Sequence, residues 1–257
     1  MTVAIERRYH ACIITIDRPD VRNAVDGPTA AALEKAVNAA DEDNEVRVIV
    51  LTGAGGAFCA GADLKALASG DKTRVLRLER THDGPLGPTR RHPGKPVIAA
   101  VEGHAVAGGF ELALWADLRV VAKDAILGFF ERRWGVPLID GGTIRLARMV
   151  GVSRASDLVL TGRALPADEA LAMGIANRVC EQGEALATAL DLAAELVAVP
   201  QACMRADLAG VRAAHDGSVD DLLLAEHDRG VASLASGEVL EGLADFVGGA
   251  GRGGSAR

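Results

Sequence analysis

Two glutamates in the middle of the chain lie among apolar residues, where a carboxyl group is well placed to move protons. Glu111 lies within the segment 110–115 (FELALW), and Glu131 follows the segment 127–130 (LGFF). Apolar surroundings penalise the charged form of a carboxyl group and raise its pKa, which suits proton transfer near neutral pH. Taken singly, either glutamate fits a buried structural ion pair with a nearby arginine at least as well. The pair is therefore a candidate for acid–base chemistry.

Two segments rich in small residues come directly after predicted strands. They are residues 52–65 (TGAGGAFCAGADLK) and residues 102–112 (EGHAVAGGFEL). Small side chains let a ligand approach the backbone, and a loop that enters a helix leaves free N–H groups pointing at that ligand. Two such turns that converge would bind one oxyanion. The alternative, which small-residue content alone leaves open, is that both are tight packing turns.

Several common functional motifs are absent from the sequence. There is no GxSxG serine motif and no HExxH metal motif, and the pair Gly94-Lys95 lacks the earlier glycine of a phosphate-binding loop. Segment 53–58 (GAGGAF) begins like a dinucleotide fingerprint, but Phe58 stands at the third glycine position. The four cysteines lie far apart without metal-ligand spacing. We therefore expect no hydride transfer, no disulfide framework and no metal site.

Composition limits the partners and the location. The net charge of −7 and an aromatic content of 3% argue against a nucleic-acid partner, which needs cations and stacking platforms. A local basic cluster for one anionic ligand remains compatible with this charge. The N-terminal segment 1–8 (MTVAIERR) lacks the apolar core of a signal peptide, and charges interrupt the most apolar region, 97–122. We expect a soluble, cytoplasmic protein without a membrane partner.

The elements that must position these residues alternate in the first half of the chain. Segments 11–16, 46–52, 96–101 and 118–121 read as strands, and 28–40 reads as a helix with Pro28 at its start. This alternation predicts an α/β core. After about residue 140 the pattern is helical, over 144–150, 153–160, 166–173, 183–199, 201–215 and 219–235.

The same reading predicts the domain organisation. We expect a core over residues 1–195 that holds the active site, a helical assembly region over 196–247 and a flexible glycine-rich tail over 248–257. Segment 71–95, with its arginines and the sequence GPLGP at 84–88, is predicted to be a helix followed by a mobile connection.

Five segments, in order along the chain, resemble the enoyl-CoA hydratase/isomerase (crotonase) superfamily. They are 18–24 (RPDVRNA), 58–65 (FCAGADLK), 106–112 (VAGGFEL), Glu131 with the following 141–143 (GGT), and 241–246 (EGLADF). The resemblance runs from about residue 3 to residue 247. It implies an α/β crotonase-like spiral of ββα units with two near-perpendicular sheets. It also implies a C-terminal helical region that builds a homotrimer, or a hexamer as a dimer of trimers.

The resemblance further implies an acyl-CoA thioester as the substrate, so that CoA is part of the substrate and no separate cofactor is needed. By position, the backbone N–H groups of Ala62 and Gly108 would form an oxyanion hole. Arg22 and Ala24 would line the adenine and phosphate end of the CoA. The full set of positions implied to contact CoA is Arg22, Ala24, Ala60, Ala62, Asp63, Leu64, Lys65 and Gly108.

In hydratases of this superfamily two glutamates hold a water that adds across the α,β double bond, and Glu111 and Glu131 match both positions. The resemblance therefore implies an enoyl-CoA hydratase of fatty acid metabolism, which converts a trans-2-enoyl-CoA into a 3-hydroxyacyl-CoA. A double-bond isomerase acting on enoyl-CoA or dienoyl-CoA is the alternative, because Asp140 adds a carboxylate near the GGT segment. A non-catalytic acyl-CoA binder is less favoured, since both glutamates are retained.

Departures from the family pattern concern the surroundings of Glu131. Phe129, Phe130 and Trp134 lie close to it in a chain that has few aromatic residues. We therefore expect these rings to shape the acyl pocket. Acyl-chain length, branching and stereochemistry are left open by the sequence.

Overall fold

A six-stranded sheet forms the centre of the molecule in a computed structural model, which describes residues 2–79 and 83–248. Every neighbouring pair in this sheet is parallel except the first, which is antiparallel. Its inner strands are rich in Val and Ile and are buried along nearly their whole length, as expected for a sheet covered on both faces. In spatial order the strands are β1 (Val3–Arg8), β2 (Ala11–Ile16), β3 (Val48–Gly53), β4 (Val97–Val101), β6 (Leu118–Ala122) and β9 (Arg178–Cys180).

A second sheet of three short strands lies beside the first. It consists of β5 (His104–Val106), β7 (Ile126–Gly128) and β8 (Leu165–Pro166), with β7 in the middle. The chain passes from β4 into β5 through Gly103, whose φ is +51° and whose α-hydrogen faces the carbonyl oxygen of Gly56. A side chain at that position would overlap this oxygen, so the transfer between the two sheets depends on glycine.

The described residues form ten α-helices. They are α1 (Gly27–Glu42), α2 (Leu64–Ala68), α3 (Gly108–Trp115), α4 (Gly142–Val150), α5 (Val152–Thr161), α6 (Ala167–Ala172), α7 (Ala185–Val197), α8 (Gln201–Ala213), α9 (Val219–Ala235) and α10 (Glu238–Val247). The Asp26 carboxylate caps α1 by accepting the Thr29 N–H, and Pro28 lies in the first turn. The α/β class, the predicted helix over 28–40 and the later helices are confirmed, with shifts of one or two residues at most ends.

Burial separates the helices of the C-terminal third. Helix α7 packs on β3, β4 and β6 and buries four side chains, whereas α8, α9 and α10 bury none. The predicted division between residues 195 and 196 lies inside α7, two residues before its end. The three-part organisation stays a prediction, and the tail from residue 249 onward lies outside the described residues.

The helix predicted at the start of segment 71–95 is wrong. Residues 71–79 contain a turn at 72–74 and are otherwise irregular, and over 83–95 the chain has a tight turn at 84–87 and a 3-10 turn at Pro88–Arg90. The Asp71 carboxylate accepts both the N–H and the hydroxyl of Thr73, a local arrangement that competes with helical hydrogen bonding. The predicted mobile connection falls partly on residues 80–82, which lie outside the described part of the chain. The sequence analysis does not predict β1, whose side chains are mostly exposed, or β5, β7, β8 and β9, which have only two or three residues each and leave little sequence pattern.

Candidate active site

A cavity of about 330 Å³ brings together both small-residue segments and both glutamates. Its polar wall contains the backbone around Ala62 and Gly108 together with three carboxyl groups, those of Glu111, Glu131 and Asp140. The remaining lining is apolar or backbone: Ala60, Leu64, Leu67, Val75, Leu76, Leu78, Leu86, Val106, Ala107, Phe130, Trp134, Val136, Pro137 and Ile139. The two segments that the sequence places almost fifty residues apart thus meet at one site.

The backbones of Ala62 and Gly108 come close together in the lining of this cavity. A Cβ placed on Gly61 would be 2.7 Å from the Gly108 nitrogen, and one placed on Gly108 would be 3.6 Å from the Ala62 nitrogen. Gly108 is the first residue of α3, where an N–H has no partner within the helix. Among the described residues neither amide donates a hydrogen bond to the protein. Both are therefore available to an oxygen of a bound molecule.

Local backbone geometry explains how these amides become available. Val25 pairs with the residues on either side of Ala62: its N–H donates to Gly61, and its carbonyl accepts from Asp63. The Ala62 N–H therefore points away from this pairing. On the other side, Ala107 has a φ of +54° and a ψ of −130°, a conformation that L-residues rarely adopt. This turn ends β5 and sets the direction in which α3 begins.

Glu111 lies in the first turn of α3 and is 2% exposed. Its Oε1 accepts the N–H groups of Asp140 and Gly142, both at 2.9 Å. Burial raises the pKa of Glu111 to about 7, and the nearby Asp140 and Glu131 act in the same direction. The two N–H donors oppose this rise because they stabilise the carboxylate. Glu111 is thus held in one orientation and titrates near neutral pH.

Glu131 lies in a 3-10 turn, Phe130–Trp134, that follows β7, and it is 6% exposed. Neither of its carboxyl oxygens has a hydrogen-bond partner among the described residues. Burial raises the pKa of this group as well, so the proton is retained more strongly than on an exposed glutamate. Neither Glu111 nor Glu131 forms an ion pair with any residue that the structure describes. The structural alternative, a buried glutamate paired with an arginine, thus has no direct ion pair to support it among these residues, although Arg145 and Arg132 interact electrostatically with Glu111 and Glu131 respectively.

Asp140 is the third carboxyl group at the cavity and is 3% exposed. Its Oδ1 accepts the Leu86 N–H at 3.0 Å and the Thr89 hydroxyl. Burial raises the pKa of Asp140, while these two donors lower it. The sequence marks Asp140 as an additional carboxylate that suggests the isomerase alternative, but it does not reveal the partners of Asp140, which lie more than fifty residues earlier in the chain.

The residues implied to contact CoA lie next to the cavity, and their role stays a prediction. Ala60 and Leu64 line the cavity, Arg22 and Lys65 are exposed, and Ala24 is buried. The Ala60 N–H donates to the Arg22 carbonyl at 3.0 Å, which brings the N-terminal segment to the site.

Asp63 has a different environment from the other implied CoA positions. Its carboxylate caps α2 by accepting the Ala66 N–H. It also forms ion pairs with Arg18 at 2.9 Å and Arg74 at 3.2 Å. These contacts lower the pKa of Asp63 and fasten segment 71–79 to the core. Asp63 is buried, so any contribution to ligand binding comes through the backbone that it fixes.

The aromatic residues near Glu131 do not all face the cavity. Phe130 and Trp134 line it, as expected. Phe129 does not: it is fully buried and packs against Phe110, with ring centroids 4.9 Å apart. Sequence reasoning missed four further lining residues, because a leucine carries no functional signal either in a short helix or in an irregular segment: Leu67, Leu76, Leu78 and Leu86.

Two features are absent from the part of the chain that the structure describes. No group of three or more His, Cys, Asp or Glu side chains has the arrangement of a metal site. No single helix is long and apolar enough to cross a membrane; only α7 and α8 taken together reach that length, and they are bent by 112°.

Comparison with known proteins extends over nearly the whole chain. The model of the enoyl-CoA hydratase/isomerase family matches residues 6–248. A Mycobacterium tuberculosis protein named enoyl-CoA hydratase is 36% identical over 95% of this chain and 92% of its own length. A mevalonyl-coenzyme A hydratase of Aspergillus fumigatus is 33% identical over 93% of this chain and 88% of its own. The crystal structure of an enoyl-CoA hydratase from Mycobacterium tuberculosis superposes with a TM-score of 0.90 at 39% identity, over 96% and 95% of the two chains.

Proposed function

The chain belongs to the enoyl-CoA hydratase/isomerase family, and on that premise we propose how its cavity carries out the family's chemistry. The activity is that of an enoyl-CoA hydratase, which adds water to a trans-2-enoyl-CoA and yields a 3-hydroxyacyl-CoA. The observation that carries the proposal is the meeting of two unpartnered backbone N–H groups with two buried glutamates in one cavity.

The backbone amides bind the carbonyl oxygen of the thioester. When water attacks the β-carbon, negative charge moves onto the carbonyl oxygen and an enolate forms. The N–H groups of Ala62 and Gly108 are adjacent and free to donate, so they stabilise this oxygen as its charge develops. Removing one donor of this kind typically costs about 2.7–4 kcal/mol of transition-state stabilisation.

The two glutamates transfer protons, one from the attacking water and one to the α-carbon. Glu111, whose carboxylate accepts two N–H groups, is oriented as the base that removes a proton from the attacking water. Glu131, whose carboxyl oxygens have no hydrogen-bond partner among the described residues, gives a proton to the α-carbon. The hydroxyl oxygen bonds to the β-carbon, and one proton is taken up while one is given. Exchange of a proton with solvent then returns both glutamates to their starting states.

Several features support hydration over isomerisation. An isomerase needs one group to shuttle a proton, whereas a hydratase must also hold a water, and two carboxyl groups in one cavity suit that task. Asp140, the residue that suggested an isomerase, has its Oδ1 engaged by Leu86 and Thr89. The isomerase alternative is therefore not favoured, and the acidic pair speaks against a mere acyl-CoA binder.

The test is a direct assay on three substrate types. The purified protein is given a short trans-2-enoyl-CoA, and loss of the conjugated thioester absorbance is followed. The same enzyme is then given 3-enoyl-CoA and 2,4-dienoyl-CoA. We expect fast hydration of the first and little conversion of the others. Slow hydration beside fast isomerisation would overturn the proposal.

The acyl group is proposed to occupy the apolar part of the cavity. Trp134 is 73% exposed and Leu78 is 62% exposed, yet both line the cavity, so their apolar surface is available to a ligand. Covering such surface favours binding by about 25 cal/mol per Å². We expect Trp134→Ala to raise KM more for long acyl chains than for a four-carbon chain. An equal change for both would contradict this placement.

The remaining proposals concern CoA, assembly and location. Arg22 and Lys65 are exposed cations beside the cavity that suit the phosphates of CoA. We propose a homotrimer or hexamer in the cytoplasm, supported by the exposed apolar side chains of α9 and α10, among them Leu224, Leu240 and Phe246. Proton transfer and enolate stabilisation need no further cofactor. Light scattering tests the oligomeric state, cell fractionation tests the location, and activity after dialysis against a chelator tests the absence of a metal cofactor.

A further inference from the structure

Asp140 connects several parts of the site that are distant in sequence. Its side-chain Oδ1 accepts the Leu86 N–H and the Thr89 hydroxyl, while its backbone N–H donates to Glu111 Oε1 at 2.9 Å. Its carbonyl accepts from Arg145 at 2.6 Å, and the same guanidinium donates to the Thr89 carbonyl. One residue therefore links the segment around Leu86 to the glutamate on α3.

Leu86 is the point at which this link reaches the oxyanion donors. Its Cδ1 lies 2.5 Å from the position that a Cβ on Gly108 would occupy, so Leu86 packs directly over Gly108. Leu86 is 1% exposed and lines the cavity. It belongs to a tight turn in which Gly84 and Gly87 exchange both backbone hydrogen bonds. The turn packs against α1 at Gly87, and Arg145 donates to the Thr89 carbonyl, whereas the bonds that Asp140 accepts fix the Leu86 N–H and the Thr89 hydroxyl.

The turn packs so closely against the Asp140 carboxylate that Gly84 has no room for a side chain. A Cβ on Gly84 would overlap the Thr89 hydroxyl and would lie 2.8 Å from Asp140 Oδ1. The turn thus approaches Asp140 as closely as glycine permits. The Asp140 side chain is 3% exposed, and two donors from the turn bind one of its oxygens. Because buried polar groups are normally hydrogen-bonded in this way, Asp140 joins the turn firmly to the site.

From this geometry we propose that Asp140 is a positioning residue for hydration: its carboxylate holds the turn 84–89 so that Leu86 covers Gly108, and its backbone N–H orients Glu111. The inference rests on the proposed function, because the effect is on hydration. In this role Asp140 transfers no proton to the substrate. It acts as a hydrogen-bond acceptor, which an uncharged amide oxygen can replace.

The experiment compares Asp140→Ala with Asp140→Asn in the full-length enzyme. Misplacement of catalytic groups by about 1 Å costs up to about 100-fold in rate. We expect Asp140→Ala to lower kcat by about 10- to 100-fold with a small change in KM. Asp140→Asn keeps an oxygen for Leu86 and Thr89, so kcat should return to within about threefold of the wild type.

Thr89→Val supplies an independent test because it removes only the hydroxyl that donates to Asp140. The single variant should lower kcat by about threefold, the loss expected for one hydrogen bond. Combined with Asp140→Ala it should add nothing, since both changes break the same contact. Additive losses would overturn the proposed link.

Asp117→Ala is the matched control for burial. Asp117 also accepts a backbone N–H, that of Val97 at 2.7 Å, and pairs with Arg212, but it lies away from the cavity. This variant should lose thermal stability and keep its kcat. An Asp140→Ala enzyme with wild-type kcat, or an Asp140→Asn enzyme as slow as Asp140→Ala, would overturn the inference. A wild-type enzyme that hydrates no enoyl-CoA would instead overturn the proposed function.

Discussion

Two walls of the same cavity are made from different parts of the chain. The oxyanion wall uses backbone N–H groups of Ala62 and Gly108, which no described residue accepts. The carboxyl wall uses the side chains of Glu111, Glu131 and Asp140. On the first wall the chemistry comes from the path of the chain, and on the second it comes from the identity of the residues. Substitutions should therefore act by displacing the backbone on the oxyanion wall and by replacing a proton carrier at Glu111 and Glu131, whereas Asp140 acts by positioning.

The difference also appears in how each wall is supported. The oxyanion wall depends on residues that must be small, because Gly61 and Gly109 approach neighbouring backbone atoms closely. The carboxyl wall depends on burial, which raises the pKa of all three of its acids. The oxyanion wall is thus determined by the size of its side chains. The pKa values on the carboxyl wall are determined by burial and by hydrogen bonds.

The largest effect is expected from replacing a carboxyl group without changing its shape. Glu131→Gln and Glu111→Gln should each lower kcat by about 10²–10⁴-fold, because a proton carrier is lost, while KM changes little. Loss of enoyl thioester absorbance measures both constants. Glu102→Gln is the control: Glu102 accepts the Ala185 N–H at 2.8 Å and lies outside the cavity lining, so kcat should be unchanged. Near-wild-type turnover in either site variant would contradict its role.

The next effect tests the oxyanion wall. A Cβ on Gly109 would overlap the carbonyl oxygen of Cys59, so Gly109→Ala must shift the start of α3 and displace the Gly108 N–H. We expect kcat to fall by about 10²–10³-fold, as for the loss of one oxyanion donor. Gly230→Ala is the control, since a Cβ there meets nothing within 4 Å. If Gly109→Ala retains its kcat, backbone position matters less than the structure indicates.

A smaller effect links the carboxyl wall to stability. The folded pKa of Glu111 is about 7, above its ordinary value of 4.5, so the folded state favours the protonated form. Its stabilising contribution is present below pH 4.5 and is lost as the pH rises through 7. Glu111→Gln should therefore raise the melting temperature at pH 8, by several degrees at most, and leave it almost unchanged at pH 4.5. Melting curves recorded at both pH values test this prediction. An equal change in melting temperature at both would contradict the raised pKa of Glu111.

The smallest effect concerns the turn before α3. Ala107 has a φ of +54°, which costs about 1–3 kcal/mol for a residue with a Cβ. Ala107→Gly should raise the free energy of unfolding by about 1 kcal/mol after the entropy of glycine is subtracted. Ala105→Gly, in β5 without a positive φ, should lower it by a similar amount. Denaturant titration measures both, and a destabilised Ala107→Gly would show that the Ala107 methyl group packs favourably there.

Much of the fold and of the site was predicted from local sequence signals. The alternating strands and helices, the family resemblance and the two glutamates each follow from residues that lie close together in the chain. The helix predicted at the start of segment 71–95 was wrong because Arg74 and Asp71 make side-chain contacts that a composition argument does not contain. Phe129 was wrongly placed in the pocket, since the sequence does not show which side of a 3-10 turn faces the core.

The sequence alone determined which groups are present: small residues where backbone must be approached, carboxyl groups among apolar neighbours, and a pattern that belongs to one family. Tertiary structure alone decided their relations. Within residues 2–79 and 83–248 it left the Ala62 and Gly108 amides without an acceptor and the Glu131 carboxyl group without a donor. It also directed two backbone N–H groups onto Glu111 and joined Asp140 to a turn more than fifty residues earlier. The physical reason is that hydrogen-bond partners and burial depend on distances in space, which set both pKa and orientation, whereas sequence signals report only what lies nearby along the chain.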